Sequence, residues 1–338
     1  MNKIEKMRPR GMHDKVLLLR EKCGVEFFLK ENRSFVSMAC PACGCGKNQV
    51  FRFNKYGFCH LECAACRTLY VSPRPQEKSL FRYYTRYEAP AYWTSILIET
   101  NDERKKLQHL PRVRKLKEII DNSDNSRETF VDIGAGNGNF SAAVKEGKIF
   151  KKVIAADVSE KCVRACKDRG LETWLGTIND FKANSLDCIA GNDMIEHLYD
   201  PAAFMRTCHS KLKKNGVVMF STPNGEGFDF KILSDKTENI TPPEHLQYFN
   251  TGSIRIFLES AGFSVMEITT PGILDVEIIK KQVACRNFDL KGRNEFLSFM
   301  FNMKNEGLEN TFQDFLVKNG LSSHMLLFAI KRVKHERK

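Results

Sequence analysis

An apolar strand that runs into a glycine-rich loop and a helix (Thr129 to Val144), a repeating strand, loop and helix pattern downstream of it, and two C-x2-C knuckles near the N-terminus are the three features that set the fold class. Together they predict an α/β protein: a mainly parallel, Rossmann-like sheet preceded by a small zinc ribbon. With 338 residues, the chain has room for one full domain of that kind and a small added module. The expected division is an N-terminal segment over 1–75 with the ribbon at about 36–72, a helical connector over 76–125, and the main domain over 126–338 with an insertion at about 272–320.

Composition narrows the function classes. Hydrophobic residues make up 42% and charged residues 28%, ordinary values for a globular chain, and no apolar run nears the ~20 residues of a membrane span. The opening MNKIEKMRPRGMHDK lacks an apolar core and a small-residue cleavage site, so a cytoplasmic location is expected. The formal charge of +12 admits a polyanionic partner. The cations, however, are interleaved with acids over the N-terminus, Arg104 to Lys117 and the tail KRVKHERK, a pattern expected of solvated faces.

Six of the twelve cysteines lie between Cys40 and Cys66. Cys40-Pro-Ala-Cys43 and Cys63-Ala-Ala-Cys66, nineteen residues apart, can each form a tight knuckle aiming two thiolates at one ion. Two knuckles make the tetrahedral sulfur shell that suits structural Zn2+. Cys45, Cys59 and His60 are close enough to compete as ligands. QVFRFNKYGFCHLE alternates aromatic and polar residues between the knuckles, as a strand pair would. So small a module buries too little apolar surface to fold unaided, which assigns the metal a stabilising role.

Beyond Pro73 and Pro75 the connector is rich in aromatics, and DERKKLQHLPRVRKLKEII has helical spacing with a break expected at Pro111. At the main domain, Gly134, Gly136 and Gly138 let the backbone turn sharply and approach a ligand. Asp157, at the end of the next strand, is placed to bind ribose hydroxyls. Asp132 ends the strand before the loop, where an acid disfavours a pyrophosphate but suits an ammonium group. TWLGTINDF, LDCIAGNDMIEHL and GVVMFSTPN continue the strand and loop pattern, implying a ligand at the strands' C-terminal ends.

The blocks VDIGAGNG, AADVS, LDCIAGNDMIEHLYDP, LKKNGVVMFSTPN and PPEHLQYFNTGSIRIFLESAGF, over about residues 127 to 269, resemble class I S-adenosylmethionine-dependent methyltransferases of the ubiquinone O-methyltransferase type. With CPACG, CAAC-RTLYVSPRP and the YY-x-x-Y segment, the resemblance extends to zinc-ribbon methyltransferases of bacterial polysaccharide clusters. One departure is Arg67, where that family usually carries glycine after the last cysteine. The resemblance implies S-adenosylmethionine as cofactor, with contacts at Asp132, Gly134, Gly136 and Gly138, ribose contact at Asp157, adenine contact around Thr177 and Ile178, and contacts near Asn192. It implies an active-site histidine at His197; His245, from the loop after the fifth strand, is expected to face the same cleft.

A hydroxyl acceptor is a weak acid, so a general base is expected from His197 or His245. Glu196 and Glu244 are candidates to orient these rings or hold a divalent ion, and Asn224 and His324 to line the pocket. The expected reaction is O-methylation of a sugar or another small polar, glycan-related metabolite. Two alternatives stand beside it: an RNA methyltransferase gripping phosphates with the ribbon and basic surface, and a scaffold that binds cofactor without catalysis. Against RNA, the ribbon core holds only Lys47, Arg52 and Lys55 as cations. Ser221-Thr222-Pro223-Asn224 also replaces the Asn/Asp-Pro-Pro-aromatic motif of amino-methylating enzymes. The oligomeric state is left open.

Overall fold

The computed structural model of the chain describes residues 3–285, 288–290 and 294–332; residues 333–338 of the basic tail lie outside them. Its strands are β1 (Gln49–Lys55), β2 (Phe58–Cys63), β3 (Leu69–Val71), β4 (Thr129–Ile133), β5 (Lys152–Asp157), β6 (Glu172–Leu175), β7 (Leu186–Asn192), β8 (Leu212–Pro223), β9 (Gln247–Tyr248), β10 (Phe263–Thr269) and β11 (His324–Lys331). Seven of them form one sheet in the order β10-β11-β8-β7-β4-β5-β6. Neighbours from β8 to β6 are parallel, and β11 runs antiparallel between β8 and β10. This is a Rossmann-like sheet that resembles the one expected of class I methyltransferases.

The central strands are apolar runs because both faces are covered. One layer joins Val131, Ile189 and Phe220 to the helix residues Phe257 and Leu258. The other joins Phe130, Cys188 and Met219 to Leu116 and Phe140. The chain leaves β4 towards β5 and β6, then returns to β7 on β4's other side. Strand ends diverge at that reversal and open a crevice for a ligand.

The ribbon is a second sheet, β1-β2-β3-β9. Tyr56 and Gly57 turn β1 into β2 with φ of 54° and 90°, the double positive φ of a tight hairpin. Its fourth strand comes from the main domain: β3 pairs antiparallel with β9, Leu69 opposite Tyr248 and Tyr70 opposite Gln247. Val71 N–H also donates to the Leu246 carbonyl at 2.8 Å. The N-terminal segment and the main domain therefore share a sheet, joined immediately after His245.

A 22-residue helix, Arg10–Glu31, crosses this junction. Phe27 packs on Phe58 of β2 and edge-on against Tyr83 and Tyr87 of the connector. Gly24 permits the approach: a Cβ there would lie 2.9 Å from the Pro242 carbonyl oxygen. In the connector, the break expected at Pro111 does not occur. The Asn101–Arg104 helix passes through a π turn, Lys105–His109, into the Leu110–Asp121 helix. Pro111 sits in that helix's first turn, where its missing N–H removes no bond. The stretch between β10 and β11 holds three helices, Asp275–Ala284, Glu295–Asn302 and Glu306–Lys318. Ile278, Leu297 and Met300 from the first two form a separate core with Ile4 and Met7.

Candidate active site and the four-cysteine cluster

The C-terminal ends of β4, β5 and β7 form the floor of a cavity of about 460 Å³. Gly134, Gly136 and Gly138 adopt φ of 70°, 57° and 76°, values open to glycine and strained for most other residues. A Cβ on Gly138 would meet Leu171 and Cys166 within 2.8 Å, whereas one on Gly136 would meet nothing within 4 Å. The loop is thus packed from behind and open in front. Asp157 caps it, accepting from the N–H groups of Gly136 and Ser159, each at 2.9 Å. Asp132 is buried beneath the loop and accepts from Ser141 Oγ at 2.7 Å. Burial pushes its carboxyl up to about 7, against the Ser141 hydrogen bond, and the neighbouring Asp157 pushes the same way.

Asn192, at the end of β7, accepts from Arg112 at 2.7 Å. The side-chain amide nitrogens of Asn137 and Asn192 and the amide oxygen of Asn139 are buried without a partner. Unpaired polar atoms around an open glycine loop fit the donor and acceptor groups of S-adenosylmethionine. Asp132, Gly134, Gly136, Asp157 and Asn192 all line this cavity. Thr177 and Ile178 do not: Thr177 caps a short turn through its contacts with Asn179 and Asp180, and Ile178 is buried in the core beside the sheet.

The loops after β7 and β8 bring His197 and His245 together, ring centroids 4.6 Å apart and nearly perpendicular. His197 Nδ1 lies 2.9 Å from the Glu244 carbonyl and 2.8 Å from Tyr84 Oη. His245 Nδ1 lies 2.8 Å from the Asn239 carbonyl. A carbonyl accepts only, so each Nδ1 carries the proton and each Nε2 presents a lone pair. Burial lowers the pKa of both, and for His245 the neighbouring His197 lowers it further. Glu196, His197 and His245 each offer a ligand atom within 4.8 Å of the others. Burial first, and the Asp193 charge second, hold the Glu196 carboxyl well above the usual range, so it keeps its proton.

Glu244 is fixed by Arg20 at 3.0 Å and Tyr83 at 3.3 Å. His324 begins β11 and pairs with Asp193 at 2.7 Å inside the cavity mouth. Asn224 points away, bonding the Ser322 carbonyl at 2.9 Å. The cavity's roof comes from the Arg10–Glu31 helix and the connector, through His13, Arg20, Tyr84, Trp93, Arg104 and Arg112. Arg20, Arg104 and Arg112, expected on solvated faces, are each at most 8% exposed. No local signal separates them from the surface cations beside them.

At the far end of the ribbon sheet Cys40, Cys43, Cys63 and Cys66 converge, their sulfurs all within 4.8 Å of one another. Cys45, Cys59 and His60 are not part of that group. His60 is buried with its Nδ1 on the Phe58 carbonyl at 3.1 Å. Burial pushes the Cys40 thiol well up, with the neighbouring Cys66 adding to it, so thiolates gather here only around a cation. Four sulfurs with no site for water fit structural Zn2+. Arg67, after the second knuckle, has φ of 61°, a conformation that favours glycine, and it pairs with Glu226 of the main domain.

Residues 103–268 match a family described as a methyltransferase domain. The ubiquinone biosynthesis O-methyltransferase of Idiomarina loihiensis is 29% identical over 103 residues, covering 28% of this chain and 42% of that protein. The enzyme of the same description from Coxiella burnetii is 25% identical over 181 residues, 48% of this chain and 74% of that one. The chain thus spans about two fifths of the first relative's length and three quarters of the second's. A solved S-adenosylmethionine-dependent methyltransferase from Archaeoglobus fulgidus is 18% identical, with a TM-score of 0.44 over 68% of this chain and 97% of its own. Among the described residues no helix is long and apolar enough to cross a membrane. In its glycine loop, its strand order and the match of residues 103–268 to a methyltransferase-domain family, the chain is similar to the class I S-adenosylmethionine-dependent methyltransferases.

Proposed function

We propose that the chain transfers a methyl group from S-adenosylmethionine to a hydroxyl of a sugar or another small polar metabolite, with His245 as general base and zinc holding the ribbon. The observation that carries this reading is the pair of imidazoles, each with a fixed Nδ1 proton and a bare Nε2, on the wall of the cavity that the glycine loop opens into. When bound, the cofactor supplies an electrophilic methyl group. The protein's part is alignment, a dry setting and removal of one proton. Burial keeps His245 neutral at pH 7, with Nε2 free to take the proton of the acceptor hydroxyl. His197 stands edge-on beside it and orients the acceptor. Asp132 and Asp157 would hold the ammonium and ribose ends of the cofactor, and the unpaired amide donors of Asn137 and Asn192 would find acceptors on it.

A labelled-methyl assay over nucleotide sugars, quinones and RNA tests the reading. Label in a sugar or quinone hydroxyl is expected, and label in RNA alone would replace it with the nucleic-acid reading. The Glu196, His197 and His245 cluster favours a second reading, in which a divalent cation held by these three binds the acceptor oxygen and lowers its pKa. Activity abolished by a chelator at concentrations that leave the four-cysteine zinc bound, and restored by Mg2+ or Mn2+, would select it.

A further inference from the structure

Among the described residues, the roof of the cavity carries a positive charge that no carboxylate contacts. Arg104 is 8% exposed and uses its guanidinium on neutral acceptors: Nε on Thr100 Oγ1 at 2.8 Å, one terminal nitrogen on Gln108 Oε1 at 3.3 Å and the other on the Met7 carbonyl at 2.9 Å. A guanidinium carries more N–H groups than those three bonds consume. Among the described residues no carboxylate lies within ion-pair distance of it, although its neighbours have theirs. Arg8 pairs with Glu238 at 2.8 Å, and Arg112 is 4.0 Å from Asp193. Nearby, Arg20 Nε is a further buried donor without a partner. Arg104 and Arg20 both lie over the Trp93 ring, 5.5 Å and 4.8 Å from its centroid. Burial, with Arg112 and Arg104 nearby, holds His109 at about 3, so it adds no charge of its own.

A buried guanidinium with free N–H groups and an aromatic face beneath it is a seat for an oxyanion. The glycine loop lies on the floor and Arg112, bonded to Asn192, stands over that floor. Arg104 lies eight residues before Arg112 in the chain, on the other side of a π turn. Arg104 shares the Trp93 ring with Arg20, which holds Glu244 beside His245, and this assigns the seat to the acceptor's part of the cavity. We infer that the methyl acceptor carries an oxyanion, a phosphoryl or carboxylate group, seated on Arg104 against Trp93. The inference rests on the methyltransferase reading only in assigning that anion to the acceptor.

The test is calorimetric titration of pyrophosphate, and separately of malonate, into the full zinc-loaded chain saturated with S-adenosylhomocysteine. Saturable binding of one probe is expected, weakened at least about tenfold by Arg104→Gln, while affinity for S-adenosylhomocysteine stays within about twofold. Binding of pyrophosphate marks a phosphorylated acceptor and binding of malonate a carboxylated one. Where Arg104→Gln lowers the melting temperature, Arg104→Lys is used, which keeps the charge and loses the fork; threefold or greater weakening, on the order expected for a lost bidentate contact, supports the seat. The inference is overturned if neither probe binds, if the variant read binds as tightly as the parent, or if S-adenosylhomocysteine displaces the probe. Failure of S-adenosylhomocysteine to bind at all would refute the methyltransferase reading instead, and the same titration of the cofactor-free chain would still read the Arg104 seat.

Discussion

Two places in the molecule can gather donors around one ion, and they differ in both chemistry and origin. The four-cysteine end draws its sulfurs from two short knuckles, each pair three residues apart, and closes on itself. The histidine cleft draws His197 and His245 from loops 48 residues apart and leaves one side facing a cavity. A closed shell of soft ligands holds a metal and excludes substrate, whereas an open group of imidazoles and a carboxyl keeps room for a reacting atom. The first is suited to stabilise, and the second is where the proposed chemistry would take place.

The sharpest way to break that contrast is to damage the sulfur end. Cys63→Ser should release stoichiometric zinc, measured by metal analysis, and collapse the ribbon, because structural zinc supplies ~10 kcal/mol or more in small modules. A variant that keeps its melting temperature would remove the stabilising role. His245→Gln should do the opposite. It is expected to lower kcat by about 10²- to 10⁴-fold while zinc content and S-adenosylhomocysteine affinity hold, and an unchanged rate would shift the base to His197 or to a cation.

Within the cleft, Asp157→Ala should weaken S-adenosylhomocysteine by roughly 10- to 100-fold, the loss of hydrogen bonds from a charged acceptor, without changing the melting temperature. The pH dependence of the same affinity reads Asp132. Its carboxyl sits at about 7 and must be ionised to meet an ammonium group, so below that pH a proton has to be given up on binding. Affinity should fall about tenfold per unit as pH drops from 7 towards 5, and Asp132→Asn should flatten the profile. The smallest effect is expected from Arg67→Gly. Glycine relieves the positive φ and loses the exposed pair with Glu226, two contributions of up to ~1 kcal/mol that oppose each other, so the melting temperature should barely move.

How far the sequence could be read follows the same divide. The knuckles, the glycine loop and Asp157 are local patterns whose residues meet because they are near in the chain. The cleft's roof is not local. His13 reaches Glu238 across 225 positions and Arg20 reaches Glu244 across 224, and a cation buried by such a contact looks in sequence like one in water. Thr177 and Ile178 show the converse. A position after the third strand of the large sheet is near the cofactor by analogy; here the threonine caps its own turn and the isoleucine faces the core. Pro111 was read as a breaker because its place within the helix is set by the π turn before it.

The pairing of β3 with β9 has a wider consequence. Three residues of the ribbon, Leu69 to Val71, hold the backbone that begins one position after His245. Rates of group transfer respond steeply to misplacement of about an ångström, so on the proposed mechanism the sulfur cluster and the His245 imidazole are mechanically one part. Trimming the chain to its larger sheet would leave the nucleoside pocket's floor in place and set the imidazole adrift. Oxidants or chelators that attack the cysteines should silence turnover well before they disturb the fold around the glycines.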